Sequence, residues 1–139
     1  MPRDPQRRMR IPSRQLGARG ERRAAWFYRL RGFRIVARNE RLRGGEIDLI
    51  VRRGDLLVFV EVKARQSLVA GHGVEAVDRR KQLQLIGLAS GYLARHPHQG
   101  AIRYDVLSLL WTGWRFAITH FPDAFRPVND PYRPWRWTV

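Results

Sequence analysis

Large apolar residues are sparse as far as about Pro12, where arginine and proline dominate, so residues 1–12 read as a basic arm outside the packed domain. From Ser13, a helix-capping residue type, to about Arg31, Leu16, Ala24, Phe27 and Tyr28 recur at helical spacing, and Gly32 stands where a helix would stop. The period then shortens. Phe33 to about Ala37 predicts a short strand, Arg38 to Gly45 a polar loop, and Glu46–Val51 and Leu56–Lys63 two strands rich in β-branched residues. Arg52-Arg-Gly-Asp between them has turn chemistry, which predicts an antiparallel hairpin.

Helical spacing returns from Val74 to about Arg95 and ends before His96-Pro-His. Ile102–Leu110 and Trp114–Phe121 predict two more strands joined through Thr112-Gly113. The expected order is therefore α-β-β-β-α-β-β, an α/β fold occupying residues 13–121. The stretch 122–139 holds four of the eight prolines and two of the five tryptophans, so it is expected to be an irregular tail whose rings lie over the domain surface.

Composition narrows the chemistry. A chain of 139 residues fits one core, and the absence of cysteine excludes disulfides and thiolate metal sites. No apolar run approaches the roughly 18 residues of a membrane span, and no signal-peptide pattern follows the basic start, so a cytoplasmic protein without membrane contact is expected. The net charge of +15 makes nucleic acid the expected partner, although a composition that merely favours arginine would carry the same charge. Phosphate-binding glycine loops and serine-hydrolase elbows are missing from the sequence. The four histidines form no zinc-binding pattern and are left out of the candidate site.

The candidate chemistry lies on the central hairpin. Alternation puts Glu61 and Lys63 on one strand face and Glu46, Asp48 and Ile50 on one face of the neighbouring strand. If Arg53-Gly54 forms a two-residue turn, Arg52 pairs with Asp55, Asp48 lies opposite Phe59, and Glu61 sits diagonally beside Asp48. Acids gathered beside apolar side chains call for a compensating proton or cation. Asp48, Glu61 and the Val62 carbonyl, with water and a substrate phosphate, would suit Mg2+, with Mn2+ as a substitute, and Lys63 would orient the nucleophile or stabilise developing charge. The competing interpretation is a solvated Glu61–Lys63 pair worth under about 1 kcal/mol.

Among 27 basic residues, lysine occurs only at Lys63 and Lys81. Lys81 falls on the apolar stripe Val74, Val77, Leu85, Leu88 and Tyr92, so it is expected either to point inward and contact phosphate or to snorkel past the stripe. Glu21 is surrounded at helical spacing by Gly17, Ala18, Ala24 and Ala25; it adds a metal contact or is an ordinary surface acid.

Gly20-Glu21 with Ala24, Arg38-Asn39, Gly45-Glu-Ile-Asp-Leu-Ile, Val58-Phe-Val-Glu-Val-Lys-Ala-Arg, Glu75-Ala-Val with Lys81, and Ala124-Phe125 together resemble the YraN-like bacterial family. That family is similar to the restriction-endonuclease-like superfamily, near the archaeal Holliday-junction resolvases. The resemblance implies a mixed β-sheet flanked by helices, a D…ExK site of Asp48, Glu61 and Lys63, Glu21 as a helical acid, and Arg65 as a phosphate contact or an ordinary strand-end arginine. A QxxxY motif of related nucleases is not matched, because Leu88 stands four residues before Tyr92.

Three functions follow as expectations. The first is a metal-dependent DNA endonuclease acting on branched or structured DNA in recombination or repair, for which symmetric cutting of two strands would favour a homodimer. The second is a nucleic-acid-binding protein that keeps the fold without cleavage. The third is an RNA- or ribosome-associated basic protein, which explains the charge but not the acids on a buried strand face.

Overall fold

The computed structural model describes residues 11–66 and 77–127. Helix α1 (Ser13–Arg29) is followed by β1 (Arg34–Leu42), β2 (Gly45–Arg53), β3 (Leu56–Arg65), α2 (Arg79–Arg95), β4 (Ile102–Trp111) and β5 (Phe116–Phe121), the predicted order. The strands form one sheet in the order β1-β2-β3-β4-β5. Only the β3–β4 pairing is parallel, and α2 lies in the long connection that a parallel pair requires.

Alternation along the central strands divides the core into two layers. Val58 and Val60 of β3, Leu49 and Val51 of β2, and Leu107 and Leu109 of β4 pack with Phe27 and Tyr28 of α1. Leu57, Phe59, Ile50, Tyr104 and Val106 pack on the opposite face with Leu85, Leu88 and Tyr92 of α2. With β3 covered on both faces, its run of apolar side chains is the pattern expected of a strand in the middle of a sheet.

Several boundaries differ from those the sequence predicts. The strand after α1 runs on to Leu42 where a loop was expected, and Leu42 pairs with Gly45 across a tight turn. As an edge strand with exposed positions on both faces, β1 tolerates the charges that made it look like loop. Helix α1 has no side-chain cap; it begins at Ser13 after Pro12. It ends in two bonds, Gly32 N–H to Arg29 and Phe33 N–H to Tyr28, with Gly32 at φ +84. Helix α2 starts later than Val74, at Arg79, because Asp78 caps it by accepting the Lys81 N–H at 2.9 Å. Val77 is buried ahead of that cap, while Val74 and Glu75 lie outside the described residues.

Strand β5 begins at Phe116 because Thr112 binds the Arg115 carbonyl through both its N–H and its hydroxyl, closing the turn before the ladder starts. Most of the expected basic arm and the tail beyond Pro127 also fall outside the described residues. The parts that are described pack closely. Ile11 exchanges two hydrogen bonds with the Gln66 side chain, and Phe125 is buried against Tyr104 in the α2-side core. Among the described residues no helix is long and apolar enough to cross a membrane.

Candidate metal and phosphate site

The β2–β3 turn decides whether the acids meet. Arg53 pairs with Leu56, so the two loop residues are Gly54 and Asp55, with Gly54 at φ +58, where a hairpin of this kind needs a glycine. The Arg53-Gly54 turn expected from the sequence is thus displaced by one residue, and the pairing register shifts by two. A shift of two preserves facing, so Glu61 keeps the face shared with Asp48. Carried beyond its last pair, Leu49↔Val60, the register sets Asp48 across from Glu61 rather than across from Phe59.

Strand pairing lapses at this point on both sides of β2. The β1–β2 ladder passes from Arg38↔Leu49 to Glu40↔Ile47, skipping Asn39 and Asp48, and Asn39 sits at φ +48. Released from regular pairing, Asp48 turns its Oδ2 to the Val62 N–H at 2.8 Å. The carboxylate is therefore fixed to the β3 backbone one residue from Glu61.

Two helices complete the arrangement. Gly20 brings α1 so close to β3 that a Cβ there would stand 2.8 Å from the Cβ of Ala64, and the next residue, Glu21, accepts a hydrogen bond from Asn39 Nδ2 at 3.1 Å. From α2, Lys81 reaches in until its Nζ lies 3.6 Å from Glu61 Oε1, while Lys63 Nζ lies 3.9 Å from the same oxygen. The side chain of Lys81 is still 42% exposed, so it spans from solvent to the acid instead of snorkelling away. Neither lysine is close enough to Glu61 for a hydrogen bond, so both act there as nearby charges. Arg65 closes β3, half-buried, on the Glu61 face by alternation.

Burial and the Glu61 charge push the Asp48 carboxyl up to about 7, with Glu21 adding to the rise and the Val62 N–H and Lys81 opposing it. Near neutrality this carboxylate lacks sufficient compensation from its neighbours. The donors are all oxygen, and a hard divalent cation would relieve the repulsion between Asp48 and Glu61. Among the described residues no three acids or histidines converge as an all-protein cage. Two carboxylates with remaining positions for water and phosphate match the way magnesium is usually held, so the residues fit that ion.

The structure thus brings Asp48, Glu61, Lys63, Val62 and Lys81 together, with Glu21 at the edge. Sequence reasoning missed a second acid, Asp105, which is fully buried on the opposite face of the sheet. It receives hydrogen bonds from Tyr28 Oη at 2.8 Å, Arg103 at 2.7 and 2.9 Å and the Asp123 N–H at 3.0 Å, and lies 2.9 Å from His120 Nε2. Burial alone would raise its pKa; bonds to His120, Arg103 and Asp123 outweigh that and hold it at about 2. So satisfied an anion is a structural anchor for α1, β4 and the chain after β5. The signal available in the sequence was a lone acid inside an apolar strand, two residues from Arg103.

Residues 20–109 match the family described as Uncharacterised protein family UPF0102. A UPF0102 protein of Mesorhizobium japonicum is 44% identical over 115 residues, covering 81% of this chain and 88% of its own. One of Chromohalobacter salexigens is 46% identical over 113 residues, covering 81% and 92%. One of Symbiobacterium thermophilum is 54% identical over 98 residues, covering 70% and 83%. The matched span contains the C-terminal part of α1 from Gly20, all of α2, the hairpin acids and both lysines, and the chain belongs to the UPF0102 family, the YraN-like family that its motifs resemble.

Proposed function

We propose that the chain is a divalent-metal-dependent endonuclease acting on branched or otherwise structured DNA. The observation that carries this reading is the pairing of a high-pKa Asp48 with buried Glu61 beneath two lysines, at an irregular sheet end in a strongly basic chain. Asp48 and Glu61, with the Val62 carbonyl, would hold Mg2+ or Mn2+. Bound there, the ion would supply Lewis acidity at the phosphoryl group and a more acidic water.

The chain's own groups have distinct tasks. Asp48, fixed by the Val62 amide, sets the position of the acidic pair. Lys63 places a compact positive charge where the phosphodiester gains negative charge, and Lys81 with Arg65 holds the flanking phosphates. Glu21, tied to Asn39, adjusts the charge felt at Asp48. Resemblance to restriction-endonuclease-like proteins supports the same assignment, and symmetric cutting would call for two copies related by a two-fold axis.

The two lysines beside Glu61 favour one competing reading, a DNA- or RNA-binding protein in which they neutralise the acid without turnover. Cleavage of end-labelled four-way junction, flap, linear duplex and single strand separates the two. Wild type should cut in magnesium or manganese, stop in chelator, and lose at least about a hundredfold in rate as Glu61→Gln, with binding retained. Binding without cutting by either protein would refute the nuclease reading.

A further inference from the structure

A cleft of about 620 Å3 opens on the other flank of α1, between that helix and the β4–β5 hairpin. Arg19, Arg22, Arg23 and Trp26 line it from α1 at spacings of three, four and seven, which places them on one helix face. Trp111, Arg115 and Phe116 line it from the hairpin, so four arginines and three aromatic rings meet with no acid among the lining residues. Trp26 is 52% exposed, with the Arg29 guanidinium 5.4 Å from its ring centre, and Arg19 stands 5.7 Å from the ring centre of Trp111.

From this arrangement we infer that the cleft binds an unpaired nucleic-acid strand, with bases stacked on the tryptophans and phosphates held by the arginines. Guanidinium groups near aromatic faces keep N–H donors directed outward, where a polyphosphate backbone can meet them. The exposed Trp26 ring, with half-buried Trp111 beside it, supplies the complementary part, since a base removed from its duplex offers a flat face that stacking covers. A duplex hides its bases and would engage the arginines alone.

The fold also connects this cleft to the acidic site. Arg65 pairs with Leu110, adjacent to Trp111, so the cleft and the Glu61–Lys63–Arg65 strand end lie at the same end of the sheet. Buried Leu16, Gly20, Ala24 and Phe27 separate Glu21 from the arginine flank of α1. A strand leaving the acids would pass around that helix end and enter the cleft. This direction rests on the proposed cleavage and deepens it to substrates with an unpaired arm, whereas binding in the cleft stands independently.

Fluorescence anisotropy in chelator, where no cleavage occurs, tests the cleft with labelled oligo-dT, oligo-rU and a hairpin duplex on the full chain. Trp26→Ala should weaken single-strand binding by roughly five- to a hundredfold and duplex binding by less than about twofold, and Trp26→Phe should recover most of the loss. Preference for dT or rU would identify which kind of strand the cleft takes. Equal losses on strand and duplex, no loss on either, or displacement by polyglutamate that ignores Trp26 would overturn the inference. Glu61→Gln should bind the strand as wild type does; failed cleavage with Trp26-dependent binding intact would refute the nuclease and leave the cleft standing.

Discussion

Replacing Asp48 with asparagine should stabilise the metal-free protein at alkaline pH, although removing a hydrogen-bonded group from a strand usually does the reverse. Asparagine retains an oxygen to accept the Val62 N–H and removes the charge that burial and Glu61 oppose. A carboxyl moved from 3.8 to about 7 corresponds to at most about 4 kcal/mol. Burying the new amide takes back part of this, leaving a gain of about 2 kcal/mol. Because the folded pKa is the higher one, the stability linked to this proton is fully present below 3.8 and is lost as pH rises through about 7. Urea unfolding in chelator should therefore place the variant about 1–2 kcal/mol below wild type near about pH 4, where the wild-type carboxyl is neutral in the folded protein, and about 2 kcal/mol above it near about pH 8. Magnesium should then raise the stability of wild type and leave Asp48→Asn behind, by mass action. A variant no more stable than wild type at alkaline pH, or a difference unchanged between the two conditions, would show that the Asp48 charge is not what destabilises the metal-free fold.

Asp105 carries the opposite sign: held at about 2, it contributes stability that is present above 3.8 and is lost as pH falls through 2. Asp105→Asn should thus lose about 2–4 kcal/mol at neutral pH, with the deficit shrinking in acid, as chemical denaturation across pH would record. Gly20→Ala should destabilise by about 1 kcal/mol, since the contact with Ala64 outweighs the better helix propensity of alanine, and a thermal melt measures it. Gly20→Val should lower both stability and cleavage further, because it pushes Glu21 away from Asn39.

Local patterns made the element order legible. Period-two runs announced β2 and β3, and the face shared by Asp48 and Glu61 followed from alternation even though the turn was displaced by one residue, since the register shift was even. Edge strand β1 was harder to recognise: its exposed charges imitate a loop, and only pairing with β2 organises them. Asp105 could not be assigned a role because its partners come from α1, β5 and the segment after β5, up to 77 residues away. The α1 cleft was missed for a similar reason: arginines at helical spacing look like a solvated face until the β4–β5 hairpin stands opposite them.

What distinguishes Asp48 from the other acids is where it interrupts the sheet. Regular pairing would commit the strand amides around it to neighbouring backbones. The β2–β3 ladder instead ends at Leu49↔Val60, leaving the Val62 amide to the Asp48 side chain, and the gap in the β1–β2 ladder at Asn39 and Asp48 turns Asn39 toward Glu21. Asp48 of β2 is thereby set beside Glu61 of β3, with Glu21 of α1 held at the edge by Asn39, while α2 on the other face of the sheet sends in Lys81. Burial and the nearby Glu61 charge make an ionised Asp48 electrostatically unfavourable there when no cation is bound. A purely structural acid in this fold is treated differently: Asp105 is fully buried, surrounded by donors and held at low pKa. The contrast between two acids on opposite faces of one sheet is the physical reason for proposing ion binding at the first and anchoring at the second.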